Sequence, residues 1–383
     1  MGRIQRDFPC DHRIIWFHCA SLGEFEQGKP VMEKIRKRYP GRKMLITFFS
    51  PSGYEIRKDY AGADFVYYLP LDTPLNAKRF VEAINPEMAV FVKYEFWFNY
   101  FRALNERNIP LLLISAHFRP DQRFFKWYGR WFRKGLKRID RIFVQHPDSV
   151  ELLKSIGYHD VDYAGDTRFD RVVQTVKGSG DMPAVRKFLD GKRAFVAGSS
   201  WPPDETIFLP LLDAEGIDLK MIIAPHDVSR ERIEQIRKSI HEKVILYSEM
   251  DNRTHFKERV LIVDAVGPLK QIYRYAHIAY IGGAFGSGLH NILEAAAFGK
   301  PVIFGPDHAA FWEAGALIKH GGAFSVHSAG EFLNIFRDLW HHEEKYEKAG
   351  AACTRFVRKN SGAAQIIVDK MKPYMSGYEQ DNT

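Results

Sequence analysis

Short apolar runs alternate with helical stretches along almost the whole chain. In the first half the runs Ile14–His18, Met44–Phe48, Phe65–Tyr68, Met88–Val92, Leu111–Ser115 and Arg141–Val144 predict strands. Helices are expected between them. Pro30–Arg38 sets Val31 and Ile35 among basic residues, and Pro74–Ile84 is a second example. Such alternation argues for parallel sheets with crossover helices.

The pattern lapses around Gln174–Pro183, where Gly, Ser, Asp and Pro mark a linker. It restarts with strands expected at Ala194–Ala197, Leu219–Ile223, Val260–Val263, Ile278–Ile281 and Val302–Phe304. The expected organisation is therefore α/β: a Rossmann-like domain over 1–176, a second over 182–355, and a helix within 356–383 returning to the first. Two such sheets facing across a cleft would bind ligands beyond the carboxyl ends of their strands.

Composition narrows the class. At 383 residues two domains are a better expectation than one. No apolar run is long enough to span a membrane, and no signal-like core follows the first charges. Cys10, Cys19 and Cys353 are too few and scattered for a disulfide framework or a zinc site, which points to a reducing compartment. A net charge of +8 suits an anionic partner without choosing among nucleic acid, lipid headgroups and a phosphorylated substrate.

Six segments could carry chemistry. In Ile281–Pro306 glycines, including Gly283, end a strand and a helix is expected from about His290, so backbone N–H groups can meet a phosphate. Glu294 can accept from two sugar hydroxyls; alternatively Asn291 and Glu294 form only a capping box. Glu24 is expected on the loop after the first strand, as a general base or as a charge favouring the following helix. Glu95, among Tyr94, Phe96 and Trp97, is expected to be partly desolvated, with raised proton affinity unless a cation compensates. Arg168 can grip an anion or merely pair with Asp166 or Asp170. Gly198, Ser199 and the segment Ala224-Pro225-His226 end strands where donors can face a phosphate or a base. The Asp160-Val161-Asp162 and His341–Glu344 clusters are expected to be solvated, with no metal required. Between His117 and Arg141, helical spacing would put Phe124, Trp127, Tyr128 and Trp131 on one stripe and Arg123, Lys126, Arg130, Lys134 and Lys137 on another. That stripe faces either the core or an anionic membrane surface.

Taken in order, H-C-A-S-L-G-E-F, T-F-F-S-P-S-G-Y, L-P-L-D-T-P, K-Y-E-F-W-F-N, G-D-T-R-F-D, G-S-S-W and G-L-H-N-I-L-E-A-A-A-F-G-K-P-V-I-F-G-P resemble the 3-deoxy-D-manno-octulosonic acid (Kdo) transferases of lipopolysaccharide synthesis. The resemblance implies a two-domain GT-B enzyme at the cytoplasmic face of the inner membrane. It would transfer Kdo from CMP-Kdo to a lipid A precursor with inversion, without metal or cofactor and with no nucleic-acid partner. It also implies roles. Glu24 would be the base, and Glu95 and Arg168 would stabilise the transition state. CMP would be held by Ala224–His226, Val266, Gly267, Pro268, Asn291, Ile292, Leu293 and Glu294.

This chain departs from the pattern in four places. Ala224-Pro225-His226 stands where many relatives have Pro-Arg-His, and Val266-Gly267-Pro268 where many have Met-Gly-Glu. Pro268 supplies no N–H. Arg168 replaces a common lysine, and an apolar N-terminal anchor often seen in the family is not found here. The alternatives are a GT-B transferase or epimerase acting on another nucleotide sugar, and a non-catalytic binder of anionic lipid or nucleic acid.

Overall fold

The structure, a computed structural model, describes residues 13–250, 253 and 255–375; Cys10 and the N-terminal start lie outside them. The chain divides into two compact units, Met1–Arg171 with Asn360–Thr383, and Val172–Lys359.

In the first unit the strands are β1 (Ile14–His18), β2 (Lys43–Phe48), β3 (Phe65–Tyr68), β4 (Met88–Val92), β5 (Leu111–Ala116), β6 (Arg141–Val144) and β7 (Val161–Tyr163). They pair in parallel in the order β3-β2-β1-β4-β5-β6-β7. Period-two alternation splits the strands between two cores. Trp16, Leu45, Phe91 and Leu113 pack with Phe80, Tyr100 and Phe101. Phe17, Ile46, Val90 and Leu112 pack with Phe25, Val31 and Ile35. The helix Ala363–Met371 joins this second core through Ala364, Ile367, Val368 and Met371. Its start is held by Asp170, whose carboxylate accepts from the backbone N–H of Gly362 at 3.1 Å.

The second unit repeats the plan. Its strands are β8 (Ala194–Ser200), β9 (Lys220–Pro225), β10 (Val244–Leu246), β11 (Val260–Ile262), β12 (Ala276–Ile281), β13 (Val302–Phe304) and β14 (Ala323–Ser325). They run parallel in the order β10-β11-β9-β8-β12-β13-β14. In both sheets the winding reverses beside the first strand, between β1 and β4 and between β8 and β12. Loops leaving adjacent strands diverge there, which opens a ligand crevice.

Several expectations change. The first helix runs Leu22–Arg38, with Pro30 inside it. Its start is fixed by a Ser21–Glu24 capping box, so Glu24 lies in the first helical turn rather than on a loop. The expected linker is largely helix, because Thr167–Gly178 continues through Gln174–Lys177. The edge strands β7, β10 and β14 were not foreseen; each spans three residues and buries only one of them, whereas the equally short β11 and β13 are buried throughout and read as apolar runs. Asp162 is not merely solvated, since it pairs with Arg141 at 2.6 Å and Lys370 at 2.5 Å. The segment from His117 to Arg141 is a 3₁₀ turn at Arg123–Phe125 and a separate helix at Arg130–Leu136. Its expected stripe breaks up, with Phe124 buried while Trp127 is 91% and Trp131 63% exposed.

Candidate functional site

At the switch point of the first sheet, β1 delivers Glu24 and β4 delivers Glu95. The capping box holds Glu24, whose Oε2 accepts from the Ser21 N–H at 3.0 Å while its own N–H reaches Ser21 Oγ at 3.5 Å. Glu95 follows Lys93, a non-glycine residue held at φ 69°. Such left-handed strain persists where surrounding structure enforces it, often at functional sites. Trp97 Nε1 donates to Glu95 Oε2, and His18 Nε2 lies 3.4 Å from the same oxygen.

The two carboxyls diverge electrostatically. Burial, then the charge of Glu95, raise Glu24 from 4.5 to about 7, against the lowering effect of the Ser21 N–H. Burial alone would raise Glu95, but His18 and then Trp97 outweigh it and hold this carboxyl below its ordinary range. The expected rise at Glu95 therefore does not occur; the His18 ring nearby and the Trp97 N–H compensate for the lost water. A pair pushed apart in this way suits one carboxyl to proton transfer and the other to standing charge.

Arg168 sits in the first turn of Thr167–Gly178 and pairs with Asp166, Nε to Oδ2 at 2.8 Å. Asp166 is buried and also accepts from the Arg168 N–H at 2.9 Å, so this pair anchors the helix start rather than lying on the surface. The charge of Arg168 reaches Tyr94, beside Glu95.

The second sheet gathers its candidates in the same way. Gly198 and Ser199 lie at the end of β8, Ala224, Pro225 and His226 at the end of β9, and Gly283 just past β12. Ser199 is held at φ 53°. A Cβ on Gly198 would meet Tyr273 Oη at 1.8 Å, and one on Gly283, at φ 96°, would meet Gly288 O at 2.1 Å. Asp204 is fully buried and ties three pieces together. It accepts from Trp201 N at 2.9 Å, Gly283 N at 2.9 Å and Tyr280 Oη at 3.0 Å. The His226 ring stacks against Trp201 at 4.6 Å and against His290 at 4.7 Å, and Trp201 Nε1 donates to His290 Nε2 at 3.1 Å.

The expected helix from about His290 is shorter, Leu293–Ala297, and has little macrodipole to offer. Asn291 Oδ1 accepts from Leu293 N at 3.2 Å, and its Nδ2 reaches Glu294 Oε1 at 3.3 Å. This is a local turn closed by side chains rather than a full capping box. Ile292 and Leu293 are buried, so their side chains face no ligand, and the Leu293 N–H is already taken by Asn291. Val266 is exposed, Gly267 adopts φ 112°, and Pro268 opens the short helix Leu269–Ile272. Among the described residues no group of three or more His, Cys, Asp or Glu could hold a metal ion.

Sequence reasoning missed His18, Thr47, Asp204, Tyr273 and His290 as parts of these sites. His18 and His290 lie inside motifs already singled out, and each is a polar residue flanked by strand or glycine signals. Thr47 opens the motif T-F-F-S-P-S-G-Y and Asp204 caps Trp201 three residues before it, but the contacts of Thr47 with His18, of Asp204 with Gly283 and Tyr280, and of Tyr273 beside Gly198 are long-range and leave no local trace.

Residues 1–171 match the family described as 3-deoxy-D-manno-octulosonic-acid transferase (kdotransferase). The chain is 28% identical over 302 residues to the 3-deoxy-D-manno-octulosonic acid transferase of Rickettsia felis, covering 77% of this chain and 64% of that protein. It is 26% identical over 385 residues to the Haemophilus influenzae protein of the same name, covering 94% and 87%. Among solved structures, UDP-GlcNAc 2-epimerase from Neisseria meningitidis aligns with a TM-score of 0.67 at 18% identity, over 94% of this chain and 99% of that one. That last likeness shows the fold alone.

Proposed function

Because residues 1–171 match the 3-deoxy-D-manno-octulosonic-acid transferase family, we propose an inverting glycosyltransferase that moves Kdo from CMP-Kdo to a lipid A precursor. The observation that carries this reading is the Glu24–Glu95 pair at the switch point of the first sheet. Glu24, with proton affinity raised to about 7, is a base matched to neutral pH. It takes the proton of the acceptor hydroxyl as that oxygen bonds to the anomeric carbon of Kdo. The bond from that carbon to the phosphate oxygen breaks, and CMP leaves with the electron pair. A single displacement of this kind inverts the centre. Glu95 supplies standing negative charge to the oxocarbenium-like centre, and Arg168 complements the donor's carboxylate or phosphate.

In the second unit Gly198, Ser199, Ala224–His226, Gly267, Gly283 and Asn291–Glu294 are the proposed CMP contacts. Gly198 and Gly283 let Tyr273 Oη and Gly288 O pack against the strand ends, and Asp204 pre-sets the loop that would meet CMP. Pro225 and Pro268 remove donors, which leaves His226 and the 282–294 loop as the principal phosphate contacts. No metal or cofactor takes part in this reading.

A peripheral contact with anionic membrane belongs to the same proposal. Exposed Trp127, Tyr128 and Trp131 beside Lys126, Arg130 and Lys134 suit an interface. No helix of the described residues is long and apolar enough to cross a membrane. The test is incubation with CMP-Kdo and a lipid A precursor, with product mass read out. A mass gain of one Kdo supports the reading. Turnover with a UDP-sugar and none with CMP-Kdo would replace it with another nucleotide-sugar reaction.

A further inference from the structure

We propose that His18 is a positioning residue: a buried Trp16–Thr47 relay holds its Nε2–H on Glu95, so that Glu95 stays ionised and Glu24 is left as the base. This rests on the reading of Glu24 above and adds a residue to it.

The argument starts from one hydroxyl. Thr47 Oγ1 accepts from Trp16 Nε1 at 2.8 Å and lies 2.9 Å from His18 Nδ1. Its single proton has two destinations, His18 Nδ1 or the Phe17 carbonyl at 3.5 Å. Were Nδ1 protonated, Thr47 would accept twice and its own proton would be left with the distant carbonyl. Nε2 would then turn a lone pair on the Glu95 carboxylate in a site where His18 is wholly buried. A buried donor without a good acceptor costs about 1–3 kcal/mol, and the lone-pair clash adds to it. The favoured arrangement sends Thr47 O–H to Nδ1 and Nε2–H toward Glu95.

That approach, 3.4 Å, is not aligned as a hydrogen bond, and among the described residues no other acceptor meets this nitrogen. Among the described residues Glu95 is thus the only outlet for the proton. The ring cannot turn away, because Phe91 packs on it at 5.1 Å and Trp97 at 5.1 Å. Burial lowers the basicity of His18 more than Glu95 raises it, so the neutral ring is the working form and donates from one nitrogen only. The titratable groups around the pair are His18, Glu24, Glu95 and the Cys19 thiol. The thiol is pushed well up by burial and by both carboxylates, and stays protonated.

The test uses the full chain carrying ¹⁵N in its histidine rings and ¹³C in its glutamate carboxyls. The expected results are an Nε2–H tautomer for His18 and, in His18→Phe, an upward shift of the Glu95 titration midpoint that narrows its gap from Glu24. Thr47→Val shifts Glu95 in the same direction. An Nδ1–H tautomer, or an unmoved Glu95 midpoint in either folded variant, overturns the proposal. If neither variant folds, the tautomer in the unaltered chain decides alone. These readouts need no transfer activity, so a chain that fails to use CMP-Kdo would refute the functional reading and leave this result standing on its own.

Discussion

Replacing Glu24 by Gln should remove catalysis and make the protein more stable above neutral pH. Gln keeps the side-chain oxygen that accepts from Ser21 N, so the helix start survives. What disappears is an anion forced into a partly buried site beside Glu95. Its proton affinity rises from 4.5 to about 7 on folding. At about 1.4 kcal/mol for each tenfold change, that is a ceiling of ~3 kcal/mol. Part of it is returned by water that still reaches the group, so ~1–2 kcal/mol is the working figure.

The sign follows from proton counting. Between the two values the folded state holds more protons than the unfolded one, so stability falls as pH rises through this window. The variant lacks this loss. Thermal unfolding should show equal midpoints for Glu24→Gln and the unaltered chain near pH ~4. The variant should be higher by several degrees near pH ~8, at about 2–4 °C for each kcal/mol. Transfer from CMP-Kdo should fall about 10²–10⁴-fold in the same variant. An unfolding midpoint no higher than that of the unaltered chain at the higher pH would refute the electrostatic reasoning. Near-normal turnover would refute the base assignment.

In the unaltered chain kcat/KM should climb with pH through about 7, because Glu24 must lose its proton to act; a flat profile across that range counts against it. Gly283→Ala places a methyl 2.1 Å from Gly288 O at a positive φ, and should cost more than ~2 kcal/mol in the loop and abolish the thermal shift given by CMP. Asp204→Ala strips three donors, two of them in buried bonds, of their acceptor and should destabilise the second unit by about 3 kcal/mol, seen as an earlier unfolding transition. Trp127→Ala with Trp131→Ala should weaken co-sedimentation with anionic vesicles while leaving the unfolding midpoint within about 2 °C, since both side chains are exposed.

Much of this protein was decided locally. The apolar runs placed β1, β4, β8 and β12 because strands buried on both faces read as continuous hydrophobic stretches. Glycines that end those strands marked the loops where ligands can approach, and Glu24, Glu95 and Gly283 stood out from residue type and position alone. What composition and periodicity could not supply was partnership. Glu24 and Glu95 are adjacent because β1 and β4 are neighbours although β2 and β3 intervene in the chain, and no local pattern encodes that pairing. The opposite shifts of the two carboxyls depend on His18, Trp97 and burial, which exist only once the sheet is assembled. The same holds for Asp204, an unremarkable acid in sequence that folding turns into the clamp of the glycine loop. The edge strands β7, β10 and β14 and the continuous helix Thr167–Gly178 also waited on tertiary contacts, because a short strand with one buried residue or a polar segment carries too little hydrophobic signal to fix its own conformation.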